Sequence, residues 1–231
     1  MKVNGVDSRK YNAKQLTAEV LPPSLSVDYE IVKGAALPTE FDTDIALGQL
    51  KLCMYFRGKD RNTLIRNMSA FLENFTKSSV LEIDGYRGKY RAFTSSSDFY
   101  KMKIKTRYQL NITLEGFFYD DELSYEYDGV GSATLIRTGT RKAPAIIEIY
   151  AKKDLENFKI IGFDDDIIVK ELASGHTIII DGETGLVTSD GTNAFDTVDI
   201  WSIPAISACK MNLSFSGTDA SVKVRYKPMW I

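Results

Sequence analysis

Residues 102–116 read MKIKTRYQLNITLEG, and their alternation decides the fold class. Met102, Ile104, Tyr108, Leu110, Ile112 and Leu114 fall on one side of an extended chain. Lys103, Lys105, Arg107, Gln109, Asn111 and Glu115 fall on the other, which is the period-two pattern of a half-buried strand. At about 3.3 Å per residue such a run reaches roughly 50 Å, well beyond the usual strand of five or six residues. Part of it is therefore expected to leave its own sheet.

The same alternation appears on the N-terminal side. Leu25, Val27, Tyr29 and Ile31 share one face of SLSVDYEIV, and Leu50, Leu52, Met54 and Phe56 share one face of GQLKLCMYF. Both read as half-buried antiparallel strands. One segment breaks the rule: in DRNTLIRNMSAFLENF, the residues Leu64, Ile65, Met68, Phe71, Leu72 and Phe75 recur at helical spacing behind Asp60, a good N-cap. The spacing predicts a single amphipathic helix over 61–75, lying on a sheet.

After Tyr119 the texture changes. DDELSYEYDGVGS is acidic, poor in aliphatic residues and closes on Gly129 and Gly131, as a linker does. Beyond it come short apolar runs separated by Gly, Asp and Asn turns with no helical window, which is the pattern of a β-sandwich. The expectation is a mainly β protein of two β-sandwich-type domains. Residues 1–127 carry the helix, and residues 128–231 form the second sandwich. Within the latter, HTIIIDGETGLVTSDG (176–191) reads as a β-hairpin in which Gly182 or Gly185 supplies a positive φ.

The totals narrow the function classes. The chain has 231 residues, 29 Lys and Arg against 31 Asp and Glu, and a formal charge of -2, too small to draw nucleic acid or an anionic membrane over the whole surface. No apolar run approaches the roughly 18 residues of a membrane span, and the N-terminus lacks a signal-like apolar core, so a soluble cytoplasmic product without a membrane anchor is expected. Cys53 and Cys209 are expected to be small, buried or half-buried and unpaired.

Catalytic signatures are missing. DGETG and FDDDI lack the alternating oxygen ligands and terminal glutamate of a calcium loop. His176 is the only histidine and has no G-x-S-x-G nucleophile to serve, and two distant cysteines do not complete a zinc set. Gly129-Val130-Gly131 lacks the further glycine of a dinucleotide site, and there is no G-x-x-x-x-G-K-[ST]. No catalytic residue, metal ligand or cofactor is expected; a hydrolase would have His176 alone behind it.

The order of parts resembles the distal tail proteins of long, non-contractile-tailed bacteriophages. The residues that carry the likeness are GQLKLCMYFRGKD leading into RNTLIRNMSAFLENF, then SVLEIDGYRGKYRAF and the strand ending ITLEGFFYDDE. In the second half they are TLIRTGTRKAPAIIEI, TIIIDGETGLV, SIPAISACKMNLSF and SVKVRYKPMWI. The resemblance implies a non-enzymatic hub, a ring of six copies around a channel that DNA traverses without specific binding. It also implies a galectin-like or carbohydrate-module-like C-terminal domain facing outward. Implied partners are further copies of the chain, the tail tube protein, a tail tip or tail-associated protein, and receptor-binding or fibre components or a host saccharide. The implied location is the virion tail tip, after synthesis in the host bacterial cytoplasm.

A β-hairpin arm that embraces the neighbouring subunit also belongs to the resemblance. The overlong strand 102–116 with its preceding turn SSSDFYK is the candidate arm, and Ser95, Asp98, Phe99, Tyr100 and Met102 are the candidate inter-subunit contacts. One departure is Cys209 in SACKM, where the family pattern has glycine. An alternative reading is a carbohydrate-binding module that recognises host cell-surface glycan, with Trp201, Tyr226 and Trp230 as the aromatic platforms.

Overall fold

The structure, a computed structural model, describes every residue except 32, 34, 35, 38, 102, 103 and 231; for 39–44, 94, 95 and 99–101 it describes the backbone only. The chain divides into two compact units, Met1–Tyr119 and Asp120–Trp230.

In the first unit the strands are β1 (Lys2–Val3), β2 (Val6–Asp7), β3 (Ala13–Leu21), β4 (Leu25–Glu30), β5 (Thr39–Ile45), β6 (Gly48–Arg57), β7 (Ser79–Glu82), β8 (Lys89–Lys101) and β9 (Arg107–Tyr119). Seven of them form one antiparallel sheet in the order β2-β1-β7-β8-β9-β6-β3, and β4 and β5 pair with each other in a two-stranded sheet. Alternation sets the buried face: Leu50, Leu52, Met54 and Phe56 of β6 and Leu110, Ile112 and Leu114 of β9 are all shut off from water.

The helix α1 (Arg61–Leu72), continued by a 3-10 turn to Phe75, covers that face as the spacing predicts. Asp60 caps it, its carboxylate accepting the Thr63 backbone N–H at 2.8 Å and the Thr63 hydroxyl at 2.9 Å. Leu64, Met68 and Phe71 point inward, and the Phe71 ring meets Phe56 and Phe75 edge-on, each at 5.4 Å between centroids. Burying one such ring is worth roughly 2–3 kcal/mol. Ile65, expected on the same stripe, is exposed.

Two strand expectations are corrected. The long strand begins at Arg107, because Thr106 and its neighbours make the turn out of β8; SSSDFYK is strand, the outer part of β8, and not a turn. β9 is paired with β6 from Arg107 to Gly116 and with β8 from Tyr108 to Tyr119, so it lies inside its sheet and is no arm. A bulge in β8 between Ala92 and Thr94 faces Gly116, where a β-carbon would stand 1.9 Å from the Arg91 carbonyl oxygen. Only glycine fits there.

The second correction concerns Leu25, Val27, Tyr29 and Ile31. They alternate as read, yet they are 63%, 39%, 60% and 69% exposed. The ribbon β4–β5 carries its apolar row in the open.

In the second unit the strands are β10 (Leu123–Asp128), β11 (Ser132–Ile136), β12 (Ala143–Ala151), β13 (Leu155–Ile161), β14 (Ile167–Leu172), β15 (Thr177–Asp181), β16 (Leu186–Ser189), β17 (Thr192–Asn193), β18 (Val198–Asp199), β19 (Ala205–Ile206), β20 (Lys210–Phe215) and β21 (Ala220–Tyr226). They form two sheets, β10-β21-β12-β15-β16-β17 with β19 beside β12, and β11-β20-β13-β14-β18. Ile147, Ile149, Ile178, Ile180, Val222 and Val224 of the first share one core with Phe158, Ile160, Val169, Met211 and Leu213 of the second. This is a sandwich. The stretch read as a linker holds β10, which pairs along β21 from Leu123–Tyr226 to Asp128–Ser221, so the division falls at Tyr119/Asp120 rather than 127/128. Its tyrosines supply the apolar face in place of aliphatic residues: Tyr125 and Tyr127 pack on the core.

Candidate functional site

The DGETG segment is a turn held by its own side chains. Asp181 accepts the Glu183 backbone N–H at 2.7 Å and the Thr184 hydroxyl at 2.8 Å, and Glu183 binds Lys227 at 2.8 Å. Gly185 takes the positive φ, +73°; Gly182 is there for another reason, since a β-carbon would meet the Ala145 and Pro204 carbonyl oxygens at 2.4 and 2.5 Å. Among the described residues no group of three or more His, Cys, Asp or Glu side chains is placed to hold a metal ion.

His176 closes the same hairpin. Its Nδ1 lies 2.5 Å from Asp190, whose carboxyl is held below the usual range by that bond and by the Thr177 backbone N–H. Asp190 sits at φ +47°, a conformation that Asp and Asn tolerate better than most residues. The pair fixes a turn.

The aromatic candidates part company. Trp201 is 94% exposed. It borders a shallow cleft of about 170 Å³ whose wall includes Asp181, Phe195, Ile200 and Ile203. The segment that bears it runs from β18 in one sheet to β19 in the other, and Ala145 donates to the Pro204 carbonyl at 2.9 Å to fix the crossing. Tyr226 is corrected: it is 2% exposed, stacked on Tyr125, and its hydroxyl accepts the Thr138 N–H at 2.8 Å. No glycan reaches it. Trp230 is 36% exposed and donates its indole N–H to Asp120 at 2.9 Å. The sequence candidates therefore form no common platform; the exposure of Phe195 and Ile203 beside Trp201 had no signal in the alternation, because both lie outside long strands.

In the first unit, Asp98 is exposed on β8, Ser95, Phe99 and Tyr100 lie on the same strand with only their backbones described, and Met102 lies outside the described residues. β7 pairs with β8 only over Tyr90–Ala92, so Thr94–Lys101 has β9 on one side and, among the described residues, no strand on the other. β3 ends the sheet at its opposite edge, with Leu16 and Val20 exposed. The sheet is thus open at both edges.

Neither cysteine is disulfide-bonded. Cys53 is half-buried, with burial raising its thiol pKa and a bond to Thr17 opposing the rise. Cys209 is exposed, contrary to expectation, and its carbonyl accepts the Arg137 N–H at 2.9 Å. It is not among the residues of positive φ, so this turn does not require glycine. Among the described residues no helix is long and apolar enough to cross a membrane.

Residues 138–230 match the family described as the siphovirus-type tail component, C-terminal domain. The crystal structure of the Dit protein of phage SPP1, described as a paradigm of the hub adsorption apparatus in phages infecting Gram-positive bacteria, has the same fold. The likeness covers 99% of this chain and 98% of that one, with a TM-score of 0.70 and 10% identity. Two structures of the phage p2 baseplate in its activated conformation, with Ca and with Sr, each match 95% of this chain and 92% of theirs at 14% identity, with TM-scores of 0.48 and 0.49. No curated protein sequence matches the chain.

Proposed function

We infer that this chain, whose residues 138–230 match a siphovirus-type tail component domain and whose whole length has the fold of a phage tail hub protein, is a structural distal tail protein of the virion and not an enzyme. We propose further that six copies close a ring joining the tail tube to the tip, that DNA passes through it, and that the C-terminal sandwich anchors receptor-binding or fibre components. The family match over 138–230 carries the reading.

The two open edges of the N-terminal sheet support the ring. An unpaired strand edge is a template for another strand, and β3 with one copy and the outer half of β8 with the next make a contact of two different surfaces, repeated around an axis. In that contact Ser95, Asp98, Phe99 and Tyr100 stand at the interface. The test is native mass spectrometry with negative-stain microscopy of the full chain. Six-fold rings are expected, lost on placing lysines on the edge with S96K/D98K. A wild-type chain that stays monomeric at every concentration overturns the ring.

One observation favours a second reading, the glycan-binding module. A tryptophan as exposed as Trp201 beside a cleft walled by a carboxylate-bearing turn is the geometry in which a sugar ring stacks on an indole. A glycan array probed with wild type and Trp201→Ala decides it: binding that needs Trp201 supports the module, and no binding removes it.

A further inference from the structure

Where β6 passes into α1 and the turn out of β8 enters β9, the first unit has a cleft of about 610 Å³. Its lining holds the cations Arg57, Lys59 and Arg107 together with Asn12, Thr106 and Ile104, the last 50% exposed. The β6–β9 register sets Arg57 directly opposite Arg107. Residues so placed have Cα atoms about 4.5–5.5 Å apart, and like charges across a ladder destabilise the pairing. Among the described residues none of the three cations makes an ion pair within 4 Å. Asp60, the carboxylate between Lys59 and Arg61, is spent on the Thr63 backbone N–H and hydroxyl. The cleft thus offers two guanidinium forks and an ammonium group without a counter-charge, an arrangement that takes oxyanions.

The extent of the charge says which oxyanion fits. Lys14 of β3, opposite Tyr55, adds a further cation on the face that bears Arg57. The next rung on that face runs Thr17, Cys53, Asn111 and Asp98, with no cation and one carboxylate. Positive charge therefore forms a patch and not a track. A nucleic-acid backbone repeats its charge evenly and is held by cations along a groove, so a patch that ends at a carboxylate suits it poorly. A short run of carboxylates on a peptide fits the patch, and the exposed Ile104 gives an apolar neighbour of the acidic residues a place to bury.

We propose that this cleft is a docking site for an acidic peptide segment of another tail protein. Carboxylates of that segment bridge the Arg57 and Arg107 guanidiniums and relieve their repulsion, Lys59 binds a further one, and an apolar side chain beside them packs on Ile104. The site rests on the reading of the chain as a structural tail protein and names the chemistry of one partner. It lies between β6 and β9, which are paired on both sides, and is distinct from the open strand edges that the ring contact uses.

The test is fluorescence anisotropy of the full chain at about 50 mM NaCl, where exposed charges are still felt. The probes are a labelled peptide of glutamates around a single leucine, the same peptide without the leucine, and a labelled DNA duplex. The leucine peptide is expected to bind, and R57E/R107E to weaken it at least about tenfold. K159E/K210E, an equal change of charge on exposed lysines of the C-terminal sandwich, should weaken it far less. I104S should weaken the leucine peptide and leave the all-glutamate peptide unchanged. Far-UV circular dichroism checks that each variant is folded. No binding, or equal losses in the two charge-reversed variants, overturns the site. DNA bound more tightly than the peptide through the same arginines, or I104S without effect, overturns the peptide as its ligand. Negative-stain images of the same samples separate the two readings: rings that ignore the peptide remove the site and leave the ring, and a monomer that binds it removes the ring and leaves the site.

Discussion

Gly182 lies so close to Ala145 that a β-carbon at position 182 would stand 2.4 Å from the Ala145 carbonyl oxygen, the same oxygen that accepts the Gly182 N–H at 2.9 Å. The turn after the three isoleucines is therefore packed against β12 by its backbone. Gly182→Ala should force the hairpin away from β12 and destabilise the sandwich by roughly 1–3 kcal/mol. Gly185→Ala meets only the far end of Ile203 at 3.4 Å but must hold φ +73°, a cost of about 1 kcal/mol. Urea unfolding of both variants checks the order; equal losses would mean that the close contact at 182 costs no more than the positive φ at 185.

The helix start offers a second check. The Thr63 backbone N–H and then the Thr63 hydroxyl hold the Asp60 carboxyl below its ordinary pKa. Asp60→Ala removes the cap, so the melting temperature should fall by a few degrees, while Asp60→Asn, which still accepts the N–H, should lose little at neutral pH. Thermal melts followed by circular dichroism distinguish the two; an alanine variant that melts with the wild type would show the cap to be idle.

Acid should act on the C-terminal sandwich through Asp164. Lys142 at 2.6 Å, then Ser207 at 2.7 Å, hold its carboxyl below the usual value. A depressed folded pKa means stabilisation that is present above the unfolded value and lost as pH falls through the folded one. Wild type should therefore melt above Asp164→Asn at neutral pH, with the gap closing as pH drops below about 4. Melting curves from pH 7 down to about pH 3 measure it. A gap that stays constant would assign the effect to the hydrogen bonds alone.

Two aromatic residues read alike in the sequence should behave in opposite ways. Tyr226→Phe leaves the Thr138 N–H without its partner in a part-buried place and should cost about 1 kcal/mol. Trp201→Ala should stay within about 0.5 kcal/mol of wild type, since the indole touches mostly water. Chemical denaturation of both is the measurement, and a large loss at Trp201 would mean that its ring is packed.

The sequence by itself determined the elements whose pattern is dictated by short-range chemistry. Leu64, Met68, Phe71 and Phe75 fix a helix because the chain turns every 3.6 residues, and Tyr108 to Leu114 fix a strand because side chains alternate. The order of those elements carried the resemblance to distal tail proteins, and residues 138–230 match the tail component domain. What covers each face was left open. Leu25, Val27, Tyr29 and Ile31 alternate as Leu50, Leu52, Met54 and Phe56 do, yet the first row is bare and the second is sealed under α1. Periodicity states that a strand has two sides; only the tertiary structure decides whether a second layer lies on one of them. For the same reason Tyr226 is core and Trp201 is surface. One is carried by a strand between two neighbours, the other by a crossing between sheets, and no local pattern tells those places apart.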